Sequence, residues 1–232
     1  KILKIAKVVE LSTDGYYNIM LGKISSTLGF APDFGQNTLQ NKASTFDIDE
    51  KNKSLKRYSK NWFDLSSIAK GYAVQEIHNY LISNNLMNHV IDIGGEIIIN
   101  GNKDGIPWNI GIQNPLSSVD NAATTISNKN NNFLAIATSG EYRNFKLDEY
   151  GNKVTHTINP KTLSSIKNKI LSVTVVNEYS ATYADSYATA FNAMGLNRAI
   201  EMANNKNIAI MVIYQNDEAV DIIYSDKWYD FF

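Results

Sequence analysis

Two short stretches carry side chains whose chemistry exceeds what a folded core requires. In "DLSSIAKGYAVQEI", Asp64 to Ile77, the serines open a helix and Lys70 falls within its first turn or so. Unpaired N–H groups and the positive end of the macrodipole make that a mildly unfavourable place for a cation. The same features suit phosphate, which the N–H groups bind while the ammonium adds a point charge. The ordinary alternatives are an ion pair of Lys70 with Asp64, or an ammonium reaching out over the core edge. Gly71 costs about 1 kcal/mol inside a helix, so it points to close approach by another backbone or by a ligand.

In "ADSYATAF", Asp185 and Thr189 stand four residues apart and share one helix face. Tyr187, Phe191 and Met194 fall on the opposite, core-facing side. A carboxylate and a hydroxyl are hard oxygen donors. Joined by main-chain carbonyls and phosphate oxygens they suit Mg²⁺, which keeps few protein ligands. The plain alternatives are a first-turn dipole preference for Asp185 and a bond from Thr189 back to the carbonyl four residues earlier.

Three further stretches are weaker. The glycines of "DIGGEI" permit positive φ or a close backbone contact, and an ordinary tight hairpin explains them. "TSGEYRNF" places a Ser139-Gly140 corner at a strand end. In "THTINP", His156 precedes an Asn-Pro turn, where it is either structural or a general base. His78 and His89 have no company in the sequence and receive no role, and three scattered histidines do not make a zinc site. The tyrosines of "GYYNIM" stack on a planar ligand or fill a core.

Hydrophobic spacing supplies the elements that must carry these residues. Lys1 to Leu11 reads as a helix with Ile2, Ile5, Ala6 and Val9 on one stripe. "STDGYYNIMLGKISSTLGF" is turn-rich, then apolar-periodic, ending near Gly29. Ala31 to Ser44 is polar and irregular, and Ser44 to Phe63 holds two short strands around "DEKNK". Ser66 to Asn84 is the strongest helix, with Ile68, Tyr72, Ile77, Tyr80 and Leu81 as its apolar face. Strand, Gly-Gly turn, strand follows in "HVIDIGGEIIINGN", then a strand from Trp108 to Ile112 and a polar loop, Ser117 to Asn132, with room for a short strand. "FLAIATSG" is a buried strand, and the next segment is a hairpin turning at Tyr150-Gly151. "ILSVTVVN" is a strand, "YADSYATAFNAMG" a helix closed by Gly195, and a short helix and a strand pair end the chain. Strands outnumber helices and mostly meet through hairpins, which predicts an α+β fold with a largely antiparallel sheet. No repeat or linker divides the chain, so a single domain over 1–232 is expected.

Composition narrows the function classes. The chain has 232 residues, 44% hydrophobic and 19% charged, enough for a substantial core. A net charge of -1 gives no electrostatic case for nucleic acid. No apolar run approaches the roughly 18–20 residues of a membrane span. Cysteine is absent, which removes disulfides, thiolate metal sites and a cysteine nucleophile.

The order of the blocks is more specific than any one of them. "DGYYNIMLGKISSTLGF", "DLSSIAKGYAV", "VIDIGGEIIINGN", "PWNIGIQNP", "ATSGEYRNF", "HTINPKT" and "VTVV…ADSYATAFNAMG" together resemble the FAD:protein FMN transferase family, also called the ApbE family, from about residue 10 to 195. The resemblance implies an α+β, T-fold-like domain lacking a family N-terminal strand and helix. It implies cleavage of FAD at its pyrophosphate, transfer of FMN to a Thr or Ser of an acceptor flavoprotein, release of AMP, and a Mg²⁺ requirement. The same site would serve an FAD pyrophosphatase or a non-catalytic FAD-binding module. Matched position by position, Asp185, Thr189 and a main-chain carbonyl near Ser67 would hold the metal. Lys70 would hold the pyrophosphate and Asp64 would contact FAD. Tyr16, Tyr17, Asn18, Ser139, Gly140 and Ile158 would line the flavin pocket. His156 would take the proton of the incoming hydroxyl, so that His156, Asp185 and Lys70 form the catalytic set. Family members often act outside the cytoplasm as membrane lipoproteins, which implies that location for the full-length protein. The chain departs from the family at Asn18 and Asn159, where an aspartate is usual, and at Thr182, where some members place another acid.

Overall fold

The computed structural model describes residues 1–32, 44–116, 121–140, 145–217 and 219–231. Among these, the helices are α1 (Ile2–Ser12), α2 (Gly22–Thr27), α3 (Ala69–Ser83), α4 (Ala181–Met194) and α5 (Leu196–Asn205), with a closing 3-10 helix, Asp226–Phe231. The strands are β1 (Phe46–Asp49), β2 (Ser54–Arg57), β3 (His89–Ile93), β4 (Glu96–Asn100), β5 (Asn102–Lys103), β6 (Ile106–Pro107), β7 (Asn109–Gln113), β8 (Ala122–Ser127), β9 (Leu134–Gly140), β10 (Phe145–Leu147), β11 (Lys153–Thr155), β12 (Ile158–Asn159), β13 (Ser164–Ser165), β14 (Ile170–Asn177), β15 (Ala209–Asn216) and β16 (Ala219–Tyr224).

The runs "ILSVTVVN" and "AIMVIYQN" are too continuously apolar for a sheet with one wet face, and β14 and β15 are covered on both sides. They form the middle of a six-stranded sheet of order β16-β15-β14-β9-β4-β3. Every neighbouring pair in it is antiparallel. This is the expected α+β architecture. On one face Val74, Phe191 and Ala199, from α3, α4 and α5, pack on Ile98, Ala135 and Val173. On the other, the β7–β8 hairpin and Trp228 cover Ile136 and Met211. A third cluster joins α1 to the segment around Tyr17, with Phe46, Ile68 and Ala190. Helix α4 is the pillar, touching β9, β14, α1, α3 and α5.

Four expectations change. Helix α3 starts at Ala69 rather than Ser66, and its buried stripe is Gly71 and Val74. Ile77 and Tyr80, expected inside, are 41% and 67% exposed. The glycine lets α3 lie so close to α4 that the contact face turns toward it. Ser139-Gly140 is no corner: the two residues continue β9, opposite Val173 and Ser172 of β14. His78 and His89 are companions, Nδ1 to Nε2 at 2.9 Å, because the α3–β3 reversal folds one onto the other. Asp185 lies beyond the first turn of α4, which begins at Ala181 with Ser180 as its capping residue. Most of Ala31 to Ser44, part of the loop after Leu116, and Glu141 to Asn144 of "TSGEYRNF" lie outside the described residues.

Candidate functional site

The sheet has a step in it. Strand β4 pairs with β9 only from Leu134 to Ile136, and β3–β4 ends at the two-residue turn Gly94-Gly95, while β9 runs on to Gly140. Both glycines have positive φ, 62° and 98°, as a tight hairpin of this hand requires. The open edge left beyond Ile136 is one wall of a cavity of about 700 Å³. Its lining includes Tyr16, Tyr17, Asn18, Asp64, Ser67, Lys70, Ser139, Gly140, His156, Ile158, Asp185 and Thr189. The structure therefore brings together every site residue expected from the sequence.

Each wall has a local cause. The segment Tyr17–Lys23 is tied to the segment before α3 by Asn61, whose side-chain oxygen accepts the Lys23 N–H at 2.8 Å. The Asp64 N–H donates to the Ile19 carbonyl at 2.7 Å. Asp64 in turn accepts the Ser66 N–H at 3.0 Å and shapes the turn into α3. Tyr17 is buried, and its hydroxyl accepts from Ser67 Oγ at 3.2 Å. Burial pushes its phenol well above the ordinary range, so it stays neutral. Tyr16 stands nearer the mouth, its ring within 4.3 Å of the Lys161 ammonium and 5.1 Å of the Arg198 guanidinium. Ser139 accepts from the Asn192 amide at 3.2 Å. His156, between β11 and β12, meets the edge of Phe30, ring centroids 6.3 Å apart.

The metal-competent residues lie on α4. Asp185 is 5% exposed and accepts the Gly71 N–H at 2.8 Å. A Cβ on Gly71 would stand 2.4 Å from the Ala181 carbonyl oxygen and 2.6 Å from Asp185 Cβ. The glycine thus exists for close approach of another backbone, that of α4. Burial raises the Asp185 carboxyl to about 6, against the lowering effects of the Gly71 N–H and the Lys70 charge. Thr189 follows one turn later on the same wall. Ser186 bonds back to the Thr182 carbonyl at 2.7 Å, but among the described residues Thr189 makes no such bond.

Lys70 does not pair with Asp64. Its ammonium forms an ion pair with Glu96 and donates to the Gly94 carbonyl at 3.3 Å. Sequence reading missed Glu96. It follows a Gly-Gly turn, where a charged residue reads as a solvated hairpin position, yet its side chain is only 3% exposed. Burial first, and then the Asp185 charge, raise the Glu96 carboxyl to about 7. The apolar run behind it, "IIIN", was the available sign that this hairpin is covered.

Asn18 and Asn159, where the resemblance leads one to expect an aspartate, are occupied. Asn18 accepts the Met20 N–H at 2.7 Å, and its amide donates to the Ser44 carbonyl at 2.9 Å. Asn159 accepts the Lys161 N–H at 2.9 Å, and its amide lies 3.4 Å from the Ala193 carbonyl. A carboxylate could make only the accepting half of each pair.

Comparison with known proteins supplies the family and the fold. The FAD:protein FMN transferase of Vibrio cholerae serotype O1 is 33% identical over 217 residues, 89% of this chain and 64% of that protein. The one from Haemophilus influenzae is 32% identical over 232 residues, 94% of this chain and 66% of that protein. The chain thus spans slightly less than two thirds of the length of either relative. The solved structure of the flavin transferase ApbE from Vibrio cholerae superposes with a TM-score of 0.82 at 28% identity, covering 100% of this chain and 75% of that one. The ApbE family model itself matches residues 1–212, and the chain belongs to the ApbE family.

Proposed function

We propose that this protein is a Mg²⁺-dependent FAD:protein FMN transferase, moving FMN from FAD to a Thr or Ser hydroxyl of an acceptor flavoprotein and releasing AMP. The observation that carries the reading is the convergence of Lys70 and Asp185 on one cavity, through a contact in which the residue after the lysine bonds the aspartate. A cavity lined by a lysine and a helix start on one side and a buried carboxylate on the other suits a diphosphate accompanied by a cation.

The donor set fits the metal. Among the described residues, Asp64, Asp92, Glu96 and Asp185 line the cavity with Lys70 as the one lysine. A diphosphate would be repelled there unless a divalent cation entered with it. Burial raises the proton affinity of Asp185, and a cation beside it would favour the ionised form. Thr189 and the main-chain carbonyl near Ser67 would complete the protein share. Among the described residues no three acidic or histidine side chains form a metal cage, so the remaining oxygens would come from substrate and water, as Mg²⁺ prefers. The bound ion would supply charge neutralisation on the phosphoryl oxygens.

The chain's own groups divide the rest of the work. Lys70 binds the pyrophosphate and Asp64 the adenosine side. Tyr16 and Tyr17, with Asn18, Ser139, Gly140 and Ile158, wall the flavin. His156 takes the proton from the acceptor hydroxyl as its oxygen forms the new bond to the FMN phosphorus. The bond from that phosphorus to the AMP oxygen breaks, and AMP leaves with the electron pair. The test is incubation with FAD, Mg²⁺ and an acceptor domain, read by intact mass. The acceptor gains the mass of FMN less one water and AMP appears in equal amount. FAD binding without acceptor modification, under conditions where an authentic family enzyme works, overturns transfer. AMP release at a comparable rate without acceptor assigns the site to hydrolysis.

A further inference from the structure

We propose that Glu96 is a positioning residue that anchors Lys70, so that one N–H of the ammonium faces the place where the substrate diphosphate binds. The inference rests on the flavin-dinucleotide reading of the cavity. A lysine ammonium has three N–H donors. Here the Glu96 carboxylate and the Gly94 carbonyl engage the ammonium from one side. Both acceptors come from a single turn: Ile93 stands opposite Glu96, and Gly94-Gly95 closes the two-residue loop between them. The turn therefore works as a clamp, fixing a flexible four-carbon side chain by its tip.

Burial divides the pair unequally. The Glu96 side chain is 3% exposed and that of Lys70 is 44% exposed. Both line the cavity, the carboxylate as the buried half and the ammonium as the more exposed half. An ion pair built this way is not explained by stability, because a buried carboxylate among apolar neighbours such as Ile98 loses its hydration and is commonly replaced by an apolar residue at no cost. A point charge on a free lysine would wander through many rotamers before binding. A clamped one is already placed, which improves binding by removing that ordering cost.

The test compares FAD and riboflavin binding, with Mg²⁺, in the wild type, Glu96→Gln, Lys70→Ala and the double variant. Riboflavin carries the flavin ring without phosphate. Glu96→Gln keeps the shape and is expected to weaken FAD roughly tenfold, the scale of a charge-assisted contact, while leaving riboflavin unchanged. The double variant is expected to bind FAD no more weakly than Lys70→Ala, since Glu96 acts only through Lys70. Glu96→Met fills the same volume without charge and gives the same FAD loss should the glutamine variant fold poorly. Equal losses for FAD and riboflavin, or full additivity with Lys70→Ala, overturn the inference. Wild-type protein that binds FAD with Lys70→Ala weakened and Glu96→Gln unaffected overturns the inference alone. Wild-type protein that binds no FAD overturns the inference together with the reading it rests on.

Discussion

The Gly71 N–H donates to the Asp185 carboxylate at 2.8 Å across the α3–α4 contact, one residue beyond Lys70. The backbone next to Lys70 and the Asp185 carboxylate are thus joined through one amide. The α3 backbone that carries Lys70 and the Asp185 carboxylate therefore keep their spacing for as long as the two helices stay packed.

Substituting Gly71 tests that coupling. Alanine is the better helix former by about 1 kcal/mol. Its Cβ, however, would stand 2.4 Å from the backbone oxygen of Ala181, which has no flexible end to yield. Overpacking of this kind costs about 1–3 kcal/mol, so Gly71→Ala is expected to be destabilised despite its propensity. Thermal unfolding should show a lower midpoint, and Mg²⁺-dependent FAD affinity should fall with it. A midpoint at or above the wild type would mean that the helices separate easily.

Asp185 has a signed pH dependence. Its carboxyl is raised from an ordinary 3.8 to about 6 in the folded state. Between those values the folded protein holds a proton that the unfolded chain has released. Stability conferred by the protonated form is thus complete near pH 4 and lost as pH rises toward 6. Asparagine keeps an acceptor for the Gly71 N–H and cannot ionise. Asp185→Asn is expected to gain stability relative to the metal-free wild type at pH 7.5, on the order of 1–3 kcal/mol, with the difference vanishing near pH 4. The same variant should lose Mg²⁺-dependent transfer. Chemical denaturation in EDTA at both pH values measures the first effect, and acceptor mass the second.

The sequence revealed this site unevenly, for physical reasons. Lys70, Asp185, Thr189 and His156 sit in short blocks whose residue types and order survive without the fold, and all of them reach the cavity. Elements set by local periodicity, such as α1 and the β3–β4 hairpin, were equally legible. What failed depended on long-range contact. The face of α3 is chosen by a glycine's closeness to α4, and glycine carries no hydrophobic signal. Ser139 and Gly140 remain in strand because β14 pairs with them from more than thirty residues away in the chain. Glu96 reads as a wet hairpin charge, and only the helices packed over the sheet enclose it.

Asn18 separates a structural role from a catalytic one. Its amide donates to the Ser44 carbonyl, and its oxygen accepts from Met20. Asn18→Asp would set a carboxylate against a carbonyl oxygen and leave that acceptor unpaired. A loss of about 1–3 kcal/mol is expected, shrinking as the new carboxyl protonates below roughly pH 4. Guanidinium unfolding at pH 7.5 and pH 4 checks it. Equal stability of the two proteins at pH 7.5 would show that the Ser44 contact is dispensable.

His156 carries the last prediction, because it tests chemistry apart from binding. It is half-buried at the cavity edge between two short strands, and its ring packs on Phe30. Asn at 156 is close in size to part of the ring but cannot accept a proton at neutral pH. If His156 takes the acceptor proton, FAD should bind His156→Asn within a few-fold of the wild type while FMN transfer falls by about 10²–10⁴-fold. Single-turnover transfer with saturating FAD isolates the chemical step from substrate binding. A variant that binds FAD far more weakly yet transfers normally at saturation would make His156 a wall of the cavity. Normal binding with normal transfer would move the base to another group on the same cavity, of which the half-buried Asp64 and the exposed Asp92 are the carboxylates open to solvent.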